Sequence, residues 1–522
     1  MPNIQPDRDP AGGSFLRWLE NNNQRCPDKI FIHSIEQNRS ITHGEMYDLA
    51  RRIGRYLHGR GIGLNDRVAL LSNNSLEHLA VYIAVLSHGA TICTIHVEMN
   101  AAYFENILNA TNAKLVIYQE GLGLEKLVGK VPGDWLPLGS LTPAAPGGNE
   151  GFFAEIEKLP DGDWAALSHG RDDIASIFYT SGTASTPKGV VCSHGELYDN
   201  TEPTADAFGM TADDRILDFR SFNWMSAQVL SALGPLCKGA TLLMARRFSQ
   251  SRFFDWVRDH KATISAGNPT VINMLINRPS EIRAADIPHF RFITSSSAPL
   301  MVEDWRRFEE LYGIAICQGY GSSETGWIAG SSEKAHRMGT VGRPLPYQQV
   351  HIVNDKGDAL ATGEIGLIEL GRGPDAEYRY LADDGSIQVY ATGRTQTGDM
   401  GFYDSDGFLT VTGREKDLII RGGVNIAPVE IDNIVLQMPE VAEVATVGVP
   451  DRIFGEEVVV YITIRPGAEI DGAKVIDHCR GRLPDIKLPK QVIFQDSLPK
   501  TERGKMDRNA LAEAWKEAAA KG

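Results

Sequence analysis

The stretch Tyr179-Thr-Ser-Gly-Thr-Ala-Ser-Thr-Pro-Lys188-Gly-Val-Val191 decides how the rest of the chain is read. The apolar run Asp173-Ile-Ala-Ser-Ile-Phe-Tyr precedes it and predicts a buried strand that enters a loop. Val190-Val-Cys-Ser-His-Gly-Glu-Leu follows it and leads into a predicted helix. Five hydroxyl side chains, two glycines and a lysine between a strand and a helix suit a polyanion. Backbone N–H groups and hydroxyls donate to phosphate oxygens, and the lysine supplies charge. The spacing is not that of a P-loop, which needs Gly-Lys followed by Ser or Thr where this chain has Pro187-Lys188-Gly189. On its own, the stretch also fits a Ser/Thr/Gly surface turn.

Working outward, the upstream sequence alternates strand and helix patterns. Residues 14–22 read as helix and Lys29-Ile-Phe-Ile-His33 as strand. Thr42-His-Gly-Glu45 has the form of a capping box, opening a helix with Met46, Leu49, Ile53 and Leu57 on one face and closing at Gly59 and Gly61. A strand from Arg67, a buried helix over Leu76–Leu86 and a strand at Lys114–Tyr118 follow. Residues 119–171 are rich in Pro and Gly and read as loops. Downstream, strands are expected at 215–219, 241–244, 262–266, 291–295 and 314–317, with helices at 226–237, 251–259, 269–277 and 301–312. This predicts a mainly parallel α/β sheet.

From about residue 338 short strands with Gly and Asp turns predict a small β-subdomain. After Gly413-Arg414 an α+β segment is expected: helix 428–438, strands 443–449 and 457–464, helix 471–482, strand 491–495. The expected division is a large domain over 1–413, a hinge at 414–417 and a mobile small domain over 418–522.

Composition narrows the function. The 522 residues carry 52 basic and 67 acidic side chains, a net charge of −15 that leaves no basic surplus for nucleic acid. The six cysteines are scattered with no CxxC pair, as reduced core thiols are. The N-terminus lacks the apolar run of a signal peptide, and no 18-residue apolar run occurs, so a cytoplasmic protein without an integral membrane segment is expected.

Four further stretches favour the phosphate reading over the surface turn: Gln318-Gly-Tyr-Gly-Ser-Ser323-Glu324-Thr-Gly, Thr397-Gly-Asp399, Gly413-Arg414-Glu-Lys416-Asp-Leu-Ile-Ile-Arg-Gly422-Gly423, and Leu498-Pro-Lys-Thr-Glu-Arg-Gly-Lys505. In this order, over nearly the whole chain, the set resembles the adenylate-forming superfamily: acyl-CoA synthetases, adenylation domains and beetle luciferases. The resemblance implies ATP, Mg²⁺ and CoA as reaction partners and attack of a carboxylate on the α-phosphate of ATP. It implies that Thr180, Ser181, Gly182, Thr183 and Lys188 hold the outer phosphates, that Tyr320 stacks on adenine, and that Ala298, Gln318 and Gly319 also bind ATP. Ser323 would bond the α-phosphate, Glu324 hold Mg²⁺ and act in catalysis, Asp399 accept the ribose hydroxyls, and Arg414 reach the same region. Catalytic Lys505 would place its ammonium between carboxylate and α-phosphate. Without the collinear set, Glu324 reads as a helix-terminal acid, Asp399 and Arg414 as an ordinary ion pair, and Lys505 as a solvated lysine.

The phosphate loop departs from the family pattern at Ala184 and Ser185, which replace a Thr and a Gly, and altered ATP affinity is the expected result. The resemblance further implies a hinge at Lys416 and a pantetheine path along Gly422 and Gly423. Only 17 residues follow Lys505, so the acceptor is expected in trans, as CoA or a carrier protein. Ser221-Phe-Asn223-Trp224-Met225-Ser-Ala-Gln228 aligns with the family's acyl pocket, which Gly321 also lines. Asn223 stands where amino-acid-activating relatives carry Asp, which disfavours an α-amino acid; Trp224, Met225 and Trp327 are expected to enclose an apolar or aromatic acid of small to medium size. An acid–CoA ligase leads. A stand-alone adenylation enzyme loading a carrier protein comes second, and a non-catalytic nucleotide-binding or interaction protein third. A homodimer stays open.

Overall fold

The structure, a computed structural model, describes residues 14–141, 151–160, 162–179, 187–500 and 506–521. Two large sheets form its centre. The first has nine strands, with Ala315–Ser322, Phe292–Ser295, Ile264–Ser265, Arg215–Asp218, Thr241–Met244 and Ile30–Ser34 parallel side by side. Antiparallel strands close both edges, Gly326–Gly330 and Arg343–Pro344 on one side and Arg39–Thr42 on the other. The second sheet has eight strands around the parallel set Ile174–Tyr179, Thr91–Thr94, Arg67–Leu71, Leu115–Tyr118 and Asp134–Pro137.

The helix Leu76–His88 lies between the sheets and is buried at every residue. Its near-continuous apolar sequence is what a helix with no solvent face requires. One core cluster joins Phe31 and Ile32 of the first sheet through this helix to Val68, Leu70 and Ile92 of the second. The capping box at Thr42 and Glu45 forms as expected, and a second one, Ser193 with Glu196, starts the helix His194–Ala207.

Four antiparallel strands, Gln349–Val353, Gly366–Gly371, Arg394–Tyr403 and Leu409–Arg414, make a small separate sheet. A single 3-10 turn, Glu415–Asp417, connects it to a five-stranded sheet built from Ile419–Arg421, Val424–Ile426, Val441–Asp451, Gly455–Ile464 and Gln491–Phe494, with helices Pro428–Val435, Gly472–Cys479 and Arg508–Lys521. That last unit has its own apolar clusters.

Several expected elements differ. Residues 119–171, read as loops, also hold the strand Asp134–Pro137 and the helix Phe152–Glu157. The helix expected at 226–237 runs unbroken over 225–238 but is π-helical through its middle, Gln228–Leu233, a form that is rare and recurs at functional sites. The strand expected at 314–317 runs on to Ser322. Past Gln318 it leaves its parallel partner and pairs antiparallel with Gly326–Gly330. No helix among the described residues is long and apolar enough to cross a membrane.

Candidate active site

In open α/β sheets ligands bind just beyond the carboxyl ends of parallel strands. Two such ends converge here: Phe292–Ser295 leads to Ala298, and its neighbour Ala315–Ser322 carries Gln318, Gly319, Tyr320 and Gly321. Ser297, next to Ala298, has φ +74°, a left-handed conformation that costs energy for a non-glycine residue and recurs at binding sites. A cleft of about 910 Å³ opens at this point, and these residues together with Asp399 and Arg414 line it. Its size is that of a small-molecule site.

Sheet register explains the polar centre of the cleft. Asp399 and Arg414 are directly opposed on the antiparallel strands Arg394–Tyr403 and Leu409–Arg414. Arg414 Nε therefore reaches Asp399 Oδ1 at 2.7 Å. The Tyr320 hydroxyl donates to Asp399 Oδ2 at 2.5 Å. Gly398, with φ +72°, turns the chain so that Asp399 N–H can bond Thr397 Oγ1, which itself donates to Ile368 O. Asp399 is 6% exposed, so its carboxylate is fixed before any ligand arrives. Burial and the Asp399 charge push the Tyr320 phenol well above its usual range, keeping it a donor.

The opposite wall comes from the five-stranded unit. Lys500 and Met506, on either side of the stretch 501–505, line the same cleft, as do Asp432 and Arg508. Asp432 is fully buried and accepts from Thr446 N–H and Oγ1 at 2.8 and 2.7 Å. Arg508 pairs with its other oxygen and donates through Nε to Thr446 O. Burial raises the Asp432 pKa and the Arg508 charge opposes that shift. Sequence reading missed this pair, whose only signal is the Arg three residues after Lys505.

Thr180, Ser181, Gly182, Thr183, Ala184, Ser185 and Lys505 lie outside the described residues. Lys188 is described, with its ammonium 5.1 Å from the centroid of the Tyr380 ring. Ser323 and Glu324 sit in the turn between Ala315–Ser322 and Gly326–Gly330, Glu324 within 3.4 Å of the Tyr380 hydroxyl. No group of three or more His, Cys, Asp or Glu able to hold a metal occurs among the described residues. A lone carboxylate still fits Mg²⁺, which takes one or two carboxylates and fills its remaining positions with substrate phosphates and water.

Asn223 is 2% exposed, and its amide nitrogen donates to Ser72 O at 3.1 Å and Ser221 Oγ at 3.2 Å. Its Oδ1 is buried without a partner among the described residues. Met225 is buried nearby, and Trp224 stacks on His96. Trp327 is 3% exposed and meets Phe208 edge to face. Asn200 clamps the Trp327 backbone, donating to its carbonyl and accepting from its N–H, each at 3.3 Å. The indole also fills the space over Gly319, where a Cβ would stand 2.6 Å from Trp327 Cζ3. Lys416 is exposed in the 3-10 turn, and Gly422 and Gly423 form an exposed turn with φ of +58° and +83°.

The strand ends of an α/β body thus face a second, smaller α+β unit across one cleft. The AMP-binding enzyme family matches residues 19–376, and the AMP-binding enzyme C-terminal domain matches 430–505. This chain belongs to that family, the adenylate-forming superfamily, in its acyl-CoA synthetase branch. It is 30% identical over 516 residues to an oxalate–CoA ligase of Arabidopsis thaliana, covering 96% of this chain and 98% of the relative. It is 31% identical over 500 residues to an indoleacetate–CoA ligase of Aromatoleum aromaticum, covering 94% and 96%. The crystal structure of ATP-bound MatB from Rhodopseudomonas palustris superposes with a TM-score of 0.84 at 27% identity, covering 96% of this chain and 99% of that one.

Proposed function

We propose that this chain is an acid–CoA ligase that uses ATP in two steps. First, a carboxylate oxygen attacks the α-phosphorus of ATP, the bond to pyrophosphate breaks, and an acyl-adenylate forms. Then the CoA thiolate attacks the acyl carbon, AMP leaves, and a thioester remains. The observation that carries this reading is the shared cleft: Tyr320, Asp399 and Arg414 on one wall, and the chain flanking 501–505 on the other.

In this reading Asp399 exchanges its bond from Tyr320 for the ribose hydroxyls, which an ionised carboxylate accepts with both oxygens. Ala298, Gln318 and Gly319 border the base. Thr180, Ser181, Gly182, Thr183 and Lys188 hold the outer phosphates, Ser323 the α-phosphate, and Glu324 the magnesium. When bound, Mg²⁺ supplies positive charge that draws the phosphate oxygens together. Lys505 neutralises charge that develops in the transition state, so it acts on rate more than on binding. The division into 1–413, a hinge at 414–417 centred on Lys416, and 418–522 lets the small unit present first Lys505 and then the Gly422–Gly423 turn.

The acid we propose is a carboxylic acid of small to medium size without an α-ammonium. Asn223 is neutral. The neighbouring cation Arg220 pairs with buried Asp218 through Nε at 3.1 Å and Nη2 at 2.7 Å, while its Nη1 is buried without a partner among the described residues.

The test is pyrophosphate release across a panel of carboxylic acids, with and without CoA, in the wild type and Lys505→Ala. The expected result is acid-dependent release that Lys505→Ala abolishes, while preformed acyl-adenylate is still consumed with CoA. Near-full adenylation by Lys505→Ala overturns the assignment.

A further inference from the structure

The hairpin Glu377–Leu381 and Ile387–Thr392 has no part in the reading so far. Its first strand pairs antiparallel with Gly189–Ser193, placing Leu381 opposite Gly189 and Tyr380 opposite Val190. Lys188 immediately precedes that partner strand, so the register brings the Tyr380 ring to its ammonium, 5.1 Å from the centroid. The hydroxyl of the same ring is 3.4 Å from Glu324 Oε1. Glu324 belongs to the other large sheet. One side chain therefore touches a cation with its face and an anion with its hydroxyl, across the gap between the sheets.

The placement is firm. Tyr380 stacks on Tyr390 with ring centroids 4.3 Å apart and planes 19° from parallel. Its neighbour Arg379 and the nearby Arg372 both pair with Glu196, the acid of the capping box that starts the next helix.

The chemistry of the two contacts differs. An ammonium is attracted by the negative face of an aromatic ring, whereas a carboxylate is held by an O–H donor. A lysine and a glutamate brought to one site attract each other and, in direct contact, cancel the charges that phosphate and metal need. We propose that Tyr380 is a positioning residue of the nucleotide site. Its ring face holds Lys188, its hydroxyl holds Glu324, and the two opposite charges are presented apart to the polyphosphate and to Mg²⁺. The proposal rests on the roles given above to Lys188 and Glu324.

The experiment is equilibrium ATP binding by calorimetry, in EDTA and in excess Mg²⁺. It uses the wild type, Tyr380→Phe, Tyr380→Leu, Lys188→Met and the Tyr380→Leu/Lys188→Met double variant. Tyr380→Phe keeps the ring, so metal-free affinity stays within about two-fold while Mg-ATP affinity falls roughly ten- to a hundred-fold, as for loss of one hydrogen bond to a charged group. Tyr380→Leu also loses the cation–π contact, and metal-free affinity falls by roughly two- to thirty-fold. In the double variant the metal-free loss is no larger than in Lys188→Met alone, a non-additivity that a merely structural tyrosine would not produce.

Wild-type-like binding by Tyr380→Leu in both conditions, or full additivity with Lys188→Met, overturns the proposal. Should Tyr380→Leu fail to fold, Tyr380→Phe decides alone: Mg-ATP affinity equal to wild type overturns it. A wild-type protein that does not bind ATP sinks the functional reading and is distinguishable from either result.

Discussion

Replacing Trp327 with alanine tests the expectation that this indole helps enclose the acid. The indole is 3% exposed, packs on Phe208 and is clamped through its backbone by Asn200, so the surroundings cannot easily collapse into the space it leaves. A buried tryptophan covers about 150–250 Å². At about 25 cal/mol per Å² its loss costs at most about 4–6 kcal/mol. Substitutions of this kind cost about 3–5 kcal/mol, which agrees. The same void favours longer acids, since each buried methylene contributes about 0.8 kcal/mol, close to a four-fold gain. Three added carbons then raise kcat/KM by roughly sixty-fold relative to the native acid. The assay is pyrophosphate release over an aliphatic series from C4 to C12, with thermal melting to confirm folding. A folded, active Trp327→Ala enzyme with an unchanged chain-length profile refutes a role for Trp327 in enclosing the acid.

Asn223→Asp puts a carboxylate oxygen where an amide nitrogen now donates to Ser72 O at 3.1 Å, so melting temperature and kcat/KM for the native acid should both fall. A wild-type preference for a free amino acid or a C16 acid would count against the pocket reading behind it. Lys416→Pro restricts a dihedral at the proposed hinge, and rapid-quench assays should show first-turnover pyrophosphate release surviving better than thioester formation; equal losses would argue against rotation there. Asp304 is 8% exposed, and burial raises its pKa to about 6 against the opposing pull of Arg307 and Arg465. The folded state thus binds the proton more tightly than the unfolded chain. Stability from this group grows as pH falls from about 6 towards 4 and is absent above that window. Asp304→Asn should stabilise the protein by up to about 3 kcal/mol at pH 7.5 and by less at pH 5, read as melting temperature; an equal gain at both pH values rules out a buried charge as the cause.

The sequence was most legible where one element carries its own signal. Ile174–Tyr179 is a continuous apolar run, Thr42 and Glu45 are a capping pair, and Leu76–His88 is apolar all round. Thr91–Thr94 escaped notice because it is short and half threonine; its hydroxyls are satisfied from afar, Thr91 by Ile174 O and Thr94 by Asn223 O. The collinear motifs identified Asp399 and Arg414, but their contact depends on strand register, which no local pattern specifies. Tyr380 left a faint trace in the alternation Glu377-Tyr-Arg-Tyr380-Leu. Its place beside Lys188 arises from a pairing between strands almost two hundred residues apart, so propensity alone could not reveal it.

The buried helix Leu76–His88 has a consequence for how this molecule comes apart. It is buried along its whole length, and its apolar side chains belong to one core cluster with residues of both large sheets, so neither sheet can open without exposing the helix to water. The two sheets should therefore melt as one cooperative body. The five-stranded unit, held together by its own apolar clusters and by the Asp432–Arg508 pair, has no stake in that helix. Calorimetry should resolve it as a separate transition, and a ligand that bridges the cleft should draw the two transitions together.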